Sequence, residues 1–551
     1  MNRESSPLPR FRDPSFLDER SGFETGRFGA HHLPGETWAE GNMFDSAVFF
    51  TPNCNMEDAV FSDKVWRDGS PDRLRALEEP DGRLLGELFY NDAIRRLQAI
   101  EQLTLPPKYS TIPNTGAFSR FEHIWGSALF VRQMCHKHGI TGREASKLLI
   151  RTLLSDVGQT IGSHLGDWMF QGVGGAENQH DMELADYLET VGINDILRRH
   201  DYDPADVTFP DIEDWVEAPQ PDLCVDRVDY GLREMNRWNT AVRMQGFKAD
   251  DFTITPDGML AMTDQRRARI FAEGFLLLSQ EHWSEPTHRL MIDLLMLRTK
   301  LFYGEGRTPR TWVFEPLPKM GLVDLYEIHP RDLMYVTDPA QEHAYAFPDL
   351  GGHTIEAIMT SIARYRRQYV WPGRRNRIYN YMEQFTDSQS YQDIQASGSY
   401  KPLEHEDFGS YQDEYPQTLP AGFAILDAAE AEATQHDYFI DIPQPPFKTR
   451  QIDPLVQTAD GFARLSELDP SYGDRLAEYK RILLAPKVAR LAIVDPKTQE
   501  MMRNIIDNVE ESWQQRIAQS RRMTPDELRS LVKTSASELY GSYPFMTFLE
   551  Y

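Results

Sequence analysis

The chain has 551 residues and a formal net charge of −27, with 40% hydrophobic and 26% charged residues. Such a composition is typical of a globular protein, and the length allows about two to four domains. The excess of acidic residues argues against general nucleic-acid binding, which needs a basic surface facing the phosphates.

Neither the cysteines nor the hydropathy pattern points to export or to a membrane. Cys54, Cys135 and Cys224 are too few and too scattered for a disulfide framework or a thiolate zinc site. Residues 1–16 are polar and lack the apolar core of a signal peptide. No apolar run approaches the roughly 18 residues that cross a bilayer, so we expect a cytoplasmic protein without a membrane partner.

Changes in composition divide the chain into five segments. Residues 1–83, rich in Pro, Gly and acidic residues, predict an irregular N-terminal arm, whereas 84–310 has the apolar spacing of a helical domain. Residues 311–383 predict a mixed α/β extension, 384–452 a polar loop or linker, and 453–551 a helical C-terminal region. The fold class expected is mainly α, with a mixed and partly irregular C-terminal region.

Within the helical segment, helix ends are marked by cap-forming residues. Asn91-Asp92 predicts a turn or cap, and a helix from Ser119 to about Lys137 follows. Thr141-Gly142-Arg143-Glu144 has the pattern of a capping box for the next helix, which we expect to end near Asp156-Val157-Gly158. Further helices are predicted over 177–188, from Asp226 onward, over 265–281 and over 286–303.

Beyond residue 310 the sequence predicts short strands at 311–314 and 332–336 and helices at 354–371 and 496–539. Between 364 and 377 lies the chief basic concentration of the chain, six arginines interleaved with Tyr365, Tyr369 and Trp371. We favour salt bridges from this arginine cluster to the protein's own acids. A second phosphate site or a subunit contact is the alternative.

Three separated stretches carry residues that can close around one divalent cation. They are Ser119-Arg120-Phe121-Glu122-His123, Ser155-Asp156-Val157-Gly158 and Val225-Asp226-Arg227-Val228-Asp229-Tyr230. His123, Asp156 and Asp226 supply one imidazole and two carboxylates, which are common ligands of catalytic cations.

These stretches resemble the HD-domain phosphohydrolases, and more narrowly the branch that cleaves triphosphate from deoxynucleotides. The resemblance covers about residues 85–240. It implies a helical HD-domain bundle in which His123, Asp156 and Asp226 hold Mn, Mg, Fe or Zn. The implied activity is metal-assisted hydrolysis of a (deoxy)nucleoside triphosphate or related phosphate ester, so the implied partner is a nucleotide or another phosphate-bearing small molecule.

The same resemblance implies further site residues. It gives His164, His180 and Asp167 catalytic roles. It assigns substrate binding to Gln102, Leu103, Arg120, Gln159, Arg227, Tyr230 and Arg233.

Two positions depart from the family pattern. Ser155 replaces a ligand histidine, and a serine hydroxyl is a weak neutral ligand. Gln159 replaces a phosphate-contacting histidine and cannot titrate. We therefore expect low metal occupancy, and two functions stay open: a phosphohydrolase, or an HD-fold nucleotide-binding sensor or scaffold without turnover. A homo-oligomer is a further candidate assembly.

Overall fold

The computed structural model describes most of residues 82–105, 119–170, 179–208, 214–237, 247–304 and 450–484. Shorter described stretches are 49–50, 56–57, 359, 362–363, 423–426, 439–440, 490–493 and parts of 500–532. Most of the predicted N-terminal arm and polar linker, the strands predicted at 311–314 and 332–336, and the arginine cluster lie outside the described residues.

Helices dominate the described structure, which confirms the predicted mainly α fold. Those in the predicted helical domain are α1 (Gly82–Phe89), α2 (Asp92–Arg96), α3 (Arg120–His138), α4 (Gly142–Leu154), α5 (Leu165–Phe170), α6 (Gln179–Thr190), α7 (Ile193–Arg199), α8 (Pro204–Thr208), α9 (Val225–Arg237), α10 (Gln265–Leu278) and α11 (Pro286–Gly304). A π-helix, Ser279–Trp283, joins α10 to α11. The C-terminal region adds α12 (Leu465–Leu468) and α13 (Pro470–Leu484), and helical residues within 354–371 and 496–539 agree with the helices predicted there.

The described strands form three small sheets. They are β1 (Phe49–Phe50), β2 (Met56–Glu57), β3 (Phe252–Ile254), β4 (Leu260–Met262), β5 (Phe423–Leu426), β6 (Phe439–Ile440), β7 (Leu455–Thr458), β8 (Gly461–Arg464) and β9 (Arg490–Ile493). The sheet orders are β1-β2, β3-β4-β7-β8 and β5-β9-β6.

The four-stranded sheet joins the C-terminal region to the helical domain. Strands β4 and β7 run parallel, with Ala261 opposite Leu455, and β7 then pairs antiparallel with β8. The sequence analysis did not predict the β7-β8 hairpin, because each strand is only four residues long and such short runs carry little periodicity. The five segment boundaries stay predictions, but hydrogen bonds cross between two of the segments.

A capping box fixes the start of α3, the helix that carries His123. The Ser119 hydroxyl accepts a hydrogen bond from the Glu122 amide at 3.2 Å, and the Glu122 carboxylate accepts one from the Ser119 amide at 2.6 Å. Asn91 caps α2 as predicted, accepting from the Ala93 amide at 2.9 Å. The capping box predicted at Thr141 is wrong, because Thr141 makes no side-chain cap hydrogen bond.

The central helix α3 is buried along most of its length and packs against α4 and α9. Helix α9 in turn packs closely against α10. A Cβ atom at Gly231 would lie 3.0 Å from the Phe275 ring, so a glycine permits this close approach. The packing therefore holds α3 and α9, which carry the predicted site residues, in one core.

Buried charged residues tie α10 to the C-terminal helices. Arg269 of α10 lies 2.6 Å from a Glu273 oxygen and 3.0 Å from an Asp469 oxygen. Arg475 of α13 approaches Glu273 at 3.8 Å. Glu273 is fully buried, so its carboxylate depends on these guanidinium groups for charge compensation.

This network predicts a large stability loss on removal of Arg269. Arg269→Ala removes the guanidinium 2.6 Å from the buried Glu273 carboxylate, and we expect the free energy of unfolding to fall by about 3–5 kcal/mol. Urea unfolding followed by circular dichroism measures the change. Lys147→Ala is the control, because Lys147 pairs with exposed Asp206 at 3.3 Å and such pairs contribute little. Equal losses in the two variants would contradict the prediction.

Candidate metal and phosphate site

The three predicted metal ligands come from three separate elements and meet at one imidazole nitrogen. His123 lies in the first turns of α3, Asp156 in the turn after α4, and Asp226 in the first turn of α9. His123 Nε2 is 2.9 Å from Asp226 Oδ1 and 3.8 Å from Asp156 Oδ2. One nitrogen and two carboxylates therefore face each other across the α3–α9 contact.

Asp229 holds the other side of the imidazole. His123 Nδ1 lies 2.7 Å from Asp229 Oδ2, and the Asp229 carboxylate also accepts from Arg233 Nε at 2.9 Å. Both Asp229 and Arg233 are almost completely buried. A carboxylate that accepts from Nδ1–H turns Nε2 toward the ligand side, which is the arrangement that supports metal-binding histidines.

The sequence analysis quoted Asp229 within the motif but did not assign it to the site. Its helical position offered a signal, since Asp229 is four residues before Arg233 and shares a face with it. The fold was still needed to place the His123 ring against that carboxylate, because the two residues are 106 positions apart.

The electrostatics of His123, Asp156 and Asp226, which we call the ligand group, follow from burial and from the pairing of opposite charges. Burial opposes a charge on His123, but hydrogen bonds to Asp226 and Asp229, together with their charges, outweigh it and raise the pKa of His123 to about 10. Burial also opposes ionisation of Asp156, yet the charges of Arg120 and His123 hold the pKa of Asp156 below its usual value. Asp156 thus stays ionised beside a protonated imidazole in the metal-free protein.

Arg120 connects the ligand group to a second histidine. Its Nη1 donates to both Asp156 oxygens at 3.0 and 2.9 Å, and its Nε donates to the Ser163 hydroxyl at 3.0 Å. Its Nη2 lies 3.1 Å from His164 Nε2. Because a guanidinium can only donate, His164 accepts at Nε2 and carries its proton on Nδ1. That nitrogen faces Asp167 Oδ2 at 2.9 Å, so His164 and Asp167, which were both predicted to be catalytic, form a pair next to Arg120.

Gln102 and Gln159 lie next to the Arg120–Asp156 ion pair. The backbone carbonyl of Gln102 accepts from the Ser163 hydroxyl at 3.2 Å and from Arg120 Nη2 at 3.4 Å. Gln159 is 1% exposed. Its amide nitrogen lies 3.5 Å from Asp156 Oδ1, and its Oε1 has no hydrogen-bond partner among the described atoms. Leu103, next to Gln102, is half-buried.

The other predicted substrate-binding residues on α9 mostly form hydrogen bonds or ring contacts with other residues of the chain. Arg227 Nη1 donates to the Asp222 carbonyl at 2.5 Å, and Arg233 is held by Asp229. The Tyr230 ring meets the His123 ring edge-on, with centroids 6.2 Å apart. The predicted phosphate contacts of these residues stay predictions, and so does the role of His180, which lies in α6 with its side chain outside the described ones.

Ser155 does not face the ligand group. Its side chain is exposed, and its hydroxyl donates to the Thr152 carbonyl of α4 at 3.0 Å. This hydrogen bond gives a partner to a backbone carbonyl in the last turn of the helix. It adds no fourth protein ligand beside His123, Asp156 and Asp226.

Glu217, Cys224 and Asp226 form a different group, whose ligand atoms all lie within 4.8 Å of one another. Burial raises the pKa of the Cys224 thiol to about 12, so a proton would have to leave before sulfur could bind a cation. The imidazole and carboxylates around His123 fit a hard or borderline divalent cation better. We therefore assign a candidate cation position to His123, Asp156 and Asp226.

Among the described helices, none combines the length and the apolar character that crossing a bilayer requires.

Comparisons with known sequences give two partial similarities. No protein-family model matches the chain. Over 228 residues, 40% of this chain and 61% of the other, it is 26% identical to metal-dependent phosphohydrolase cns2 of Cordyceps militaris. Over 161 residues, 28% of this chain and 44% of the other, it is 34% identical to the uncharacterized protein YdhJ of Bacillus subtilis. The match spans less than two thirds of either relative's length.

Two solved structures align over much of the chain at low similarity. A phosphohydrolase from Bacteroides thetaiotaomicron has 13% identity and a TM-score of 0.35, covering 74% of this chain and 95% of that one. A hypothetical protein from Aquifex aeolicus has 14% identity and a TM-score of 0.35, covering 77% and 95%. Similarity at this level does not establish a shared fold.

The raised pKa of His123 predicts how the stability of the metal-free protein depends on pH. The folded state keeps a proton up to a pH of about 10, whereas the unfolded state releases it near the ordinary value of 6.5. The stabilisation is therefore complete below 6.5 and is lost as the pH rises from 6.5 to 10. We expect the free energy of unfolding to fall over this window, and to fall less steeply in His123→Gln.

Urea unfolding of chelator-treated protein at several pH values measures this slope. His136→Gln is the matched control, because His136 lies on the same helix but is exposed. The slope of the control should equal that of the unmodified protein. Equal slopes in all three proteins would show that His123 does not carry the proton.

Proposed function

We propose that the chain is an HD-domain-like phosphohydrolase that uses a divalent cation held by His123, Asp156 and Asp226. The substrate class that we propose is a deoxynucleoside or nucleoside triphosphate, or a related phosphate ester. The observation that carries the proposal is the meeting of one imidazole nitrogen with two carboxylates from separate elements, with Asp229 behind the imidazole. The partial similarity to a metal-dependent phosphohydrolase supports it.

A cation bound there would polarise a phosphoryl oxygen and lower the pKa of a water molecule. The chain's own residues prepare for this chemistry. Asp229 fixes the direction of His123 Nε2, and Arg120 keeps Asp156 ionised. His164 Nε2 accepts from Arg120 in the unliganded protein; once a water or a leaving oxygen replaces Arg120 at this nitrogen, it can take a proton from the water or return one to the oxygen. Asp167 would then stabilise the imidazolium, as a carboxylate does behind a catalytic histidine.

The second candidate is a nucleotide-binding sensor or scaffold that has lost turnover. Specific observations favour it. Ser155 donates to the Thr152 carbonyl at 3.0 Å rather than facing the ligand group, and Gln159 offers no titratable group near Asp156. Both candidate functions involve binding of a phosphate-bearing ligand at the same site. They differ in whether the protein retains a metal and whether it hydrolyses the ligand.

Metal analysis and hydrolysis assays on the same preparation separate the two candidates. We expect substoichiometric metal in the unmodified protein. Ser155→His should raise the metal content after dialysis against Mn, because the longer imidazole can turn toward the ligand group that the serine hydroxyl does not face. Adding Gln159→His should increase triphosphate cleavage. Ser155→Ala is the matched control and should retain no more metal than the unmodified protein.

The outcomes point in different directions. Metal-dependent hydrolysis by the unmodified protein, lost in His123→Ala, supports the phosphohydrolase. A rise in melting temperature with nucleotide but no hydrolysis supports the sensor. A protein that neither hydrolyses nor is stabilised by deoxynucleoside or ribonucleoside triphosphates, with Mn or Mg present, contradicts both.

A further inference from the structure

Gln159 carries a buried carbonyl oxygen next to the ligand group. Its side chain is buried, and its amide nitrogen lies 3.5 Å from Asp156 Oδ1. This orientation of the amide is the favourable one, because the flipped amide would set its oxygen against a carboxylate, and both groups can only accept. Oε1 is bonded to the same carbon as Nε2 and therefore lies close to the ligand group. None of the described residues donates a hydrogen bond to it.

Backbone contacts hold Gln159 in this position. Its amide N–H donates to the Asp156 carbonyl at 2.9 Å, and its backbone carbonyl accepts from Nη2 of Arg96, a completely buried residue. The next residue, Thr160, forms an isolated β-bridge with Ser163. Gln159 is therefore fixed in the same turn that carries Asp156, so its side chain keeps its place beside that carboxylate.

A buried carbonyl oxygen without a hydrogen bond destabilises the folded state. Such atoms are rare in native proteins, and a catalytic role is one cause of them. A carbonyl oxygen can only accept a hydrogen bond. It cannot hydrogen-bond to an unprotonated phosphate oxygen, which is also an acceptor. The partner that suits Gln159 Oε1 is therefore a group with an O–H or N–H bond.

A water molecule that attacks a phosphoryl group at the ligand group is such a partner. Arg120 donates to Asp156, and the same guanidinium lies 3.1 Å from His164 Nε2. The oxygen that can orient the water and the nitrogen that can take its proton therefore border the same ion pair. In some nucleotide-hydrolysing enzymes a glutamine orients the attacking water in this way.

We propose that Gln159 positions the attacking water by accepting a hydrogen bond from it at Oε1. This inference rests on the proposed function and deepens it. One O–H bond of the water points to Gln159. The other breaks as the water oxygen bonds to phosphorus, and its proton goes to His164 Nε2 in place of the Arg120 contact. The bond from phosphorus to the leaving oxygen breaks, and the leaving oxygen then takes the proton from His164.

Hydrolysis of deoxyguanosine triphosphate and of p-nitrophenyl phosphate by the full chain, with excess Mn, tests the proposal. Gln159→Met is similar in size but lacks the acceptor, and we expect it to lower kcat by about tenfold with little change in KM. Gln159→His should retain turnover, because a neutral imidazole keeps a lone pair.

The melting temperature of the chelator-treated protein is the second measurement. It should not fall in Gln159→Met, because this variant removes a buried oxygen that has no partner among the described residues and loses only the 3.5 Å contact to Asp156.

Asn194→Leu is the matched control. The Asn194 side chain is also buried, its amide nitrogen donates to Glu189 Oε2 at 2.9 Å, and its Oδ1 has no hydrogen-bond partner among the described residues. Asn194 lies in α7, which carries none of the predicted site residues. This control variant should keep the kcat of the unmodified protein.

The outcomes separate the role of Gln159 from the proposed function. If the unmodified protein hydrolyses either compound and Gln159→Met keeps its kcat, the role of Gln159 is overturned and the proposed function stands. A loss of turnover in both Gln159 variants, with lower melting temperatures in both, would make Gln159 a structural residue and would also overturn its role. If the unmodified protein hydrolyses neither compound, the proposed function fails, and the role of Gln159 fails with it.

Discussion

The contact between His123 and Asp229 is the interaction on which the candidate site depends. It joins α3 to α9 through a 2.7 Å hydrogen bond inside the core, and Arg233 compensates the buried carboxylate from the next turn of α9. If Asp229 were neutral or absent, the imidazole would lose the partner that directs Nε2 toward Asp156 and Asp226. The pair also contributes the pH-dependent stability of the metal-free protein, but its role in the site is to orient the imidazole.

A second constraint comes from the C-terminal region, which is built into the helical body. Strand β7 lies parallel to β4, and buried Arg269 bridges Glu273 and Asp469 across the same junction. The segment 450–453 then passes the loop before α9. The position of α9, and with it one carboxylate of the ligand group, is therefore supported both by the helical domain and by a segment more than 200 positions later in the sequence.

Much of this arrangement could be predicted from sequence. The bounds of α3 and α11 and the start of α9 follow from apolar periodicity and end signals, and the order of His123, Asp156 and Asp226 indicated one shared site. The capping-box pattern was a less reliable predictor, because it was right at one helix start and wrong at another. The Ser/Thr-x-x-Glu pattern occurs at Ser119 and at Thr141, and only the first forms a capping box.

What sequence could not provide were pairings between distant residues. Asp229 faces His123 only because α9 crosses α3. Arg233 has the motif position of a phosphate ligand, yet its guanidinium is buried against Asp229. Arg450 lies 5.9 Å from the centre of the Tyr230 ring, but it follows a polar stretch with no periodicity, so nothing local connected the two residues. Each of these depends on how helices pack, which a periodic pattern within one element does not determine.

The central claim is that His123, Asp156 and Asp226 hold one divalent cation, with Asp229 orienting the imidazole. Titration of the metal-free protein with Mn, followed by electron paramagnetic resonance of the free ion, tests it most directly. We expect one site per chain, absent in His123→Ala and weakened by about 10–100-fold in Asp229→Asn. Mn binding that is unchanged in His123→Ala would place the cation elsewhere and contradict the account.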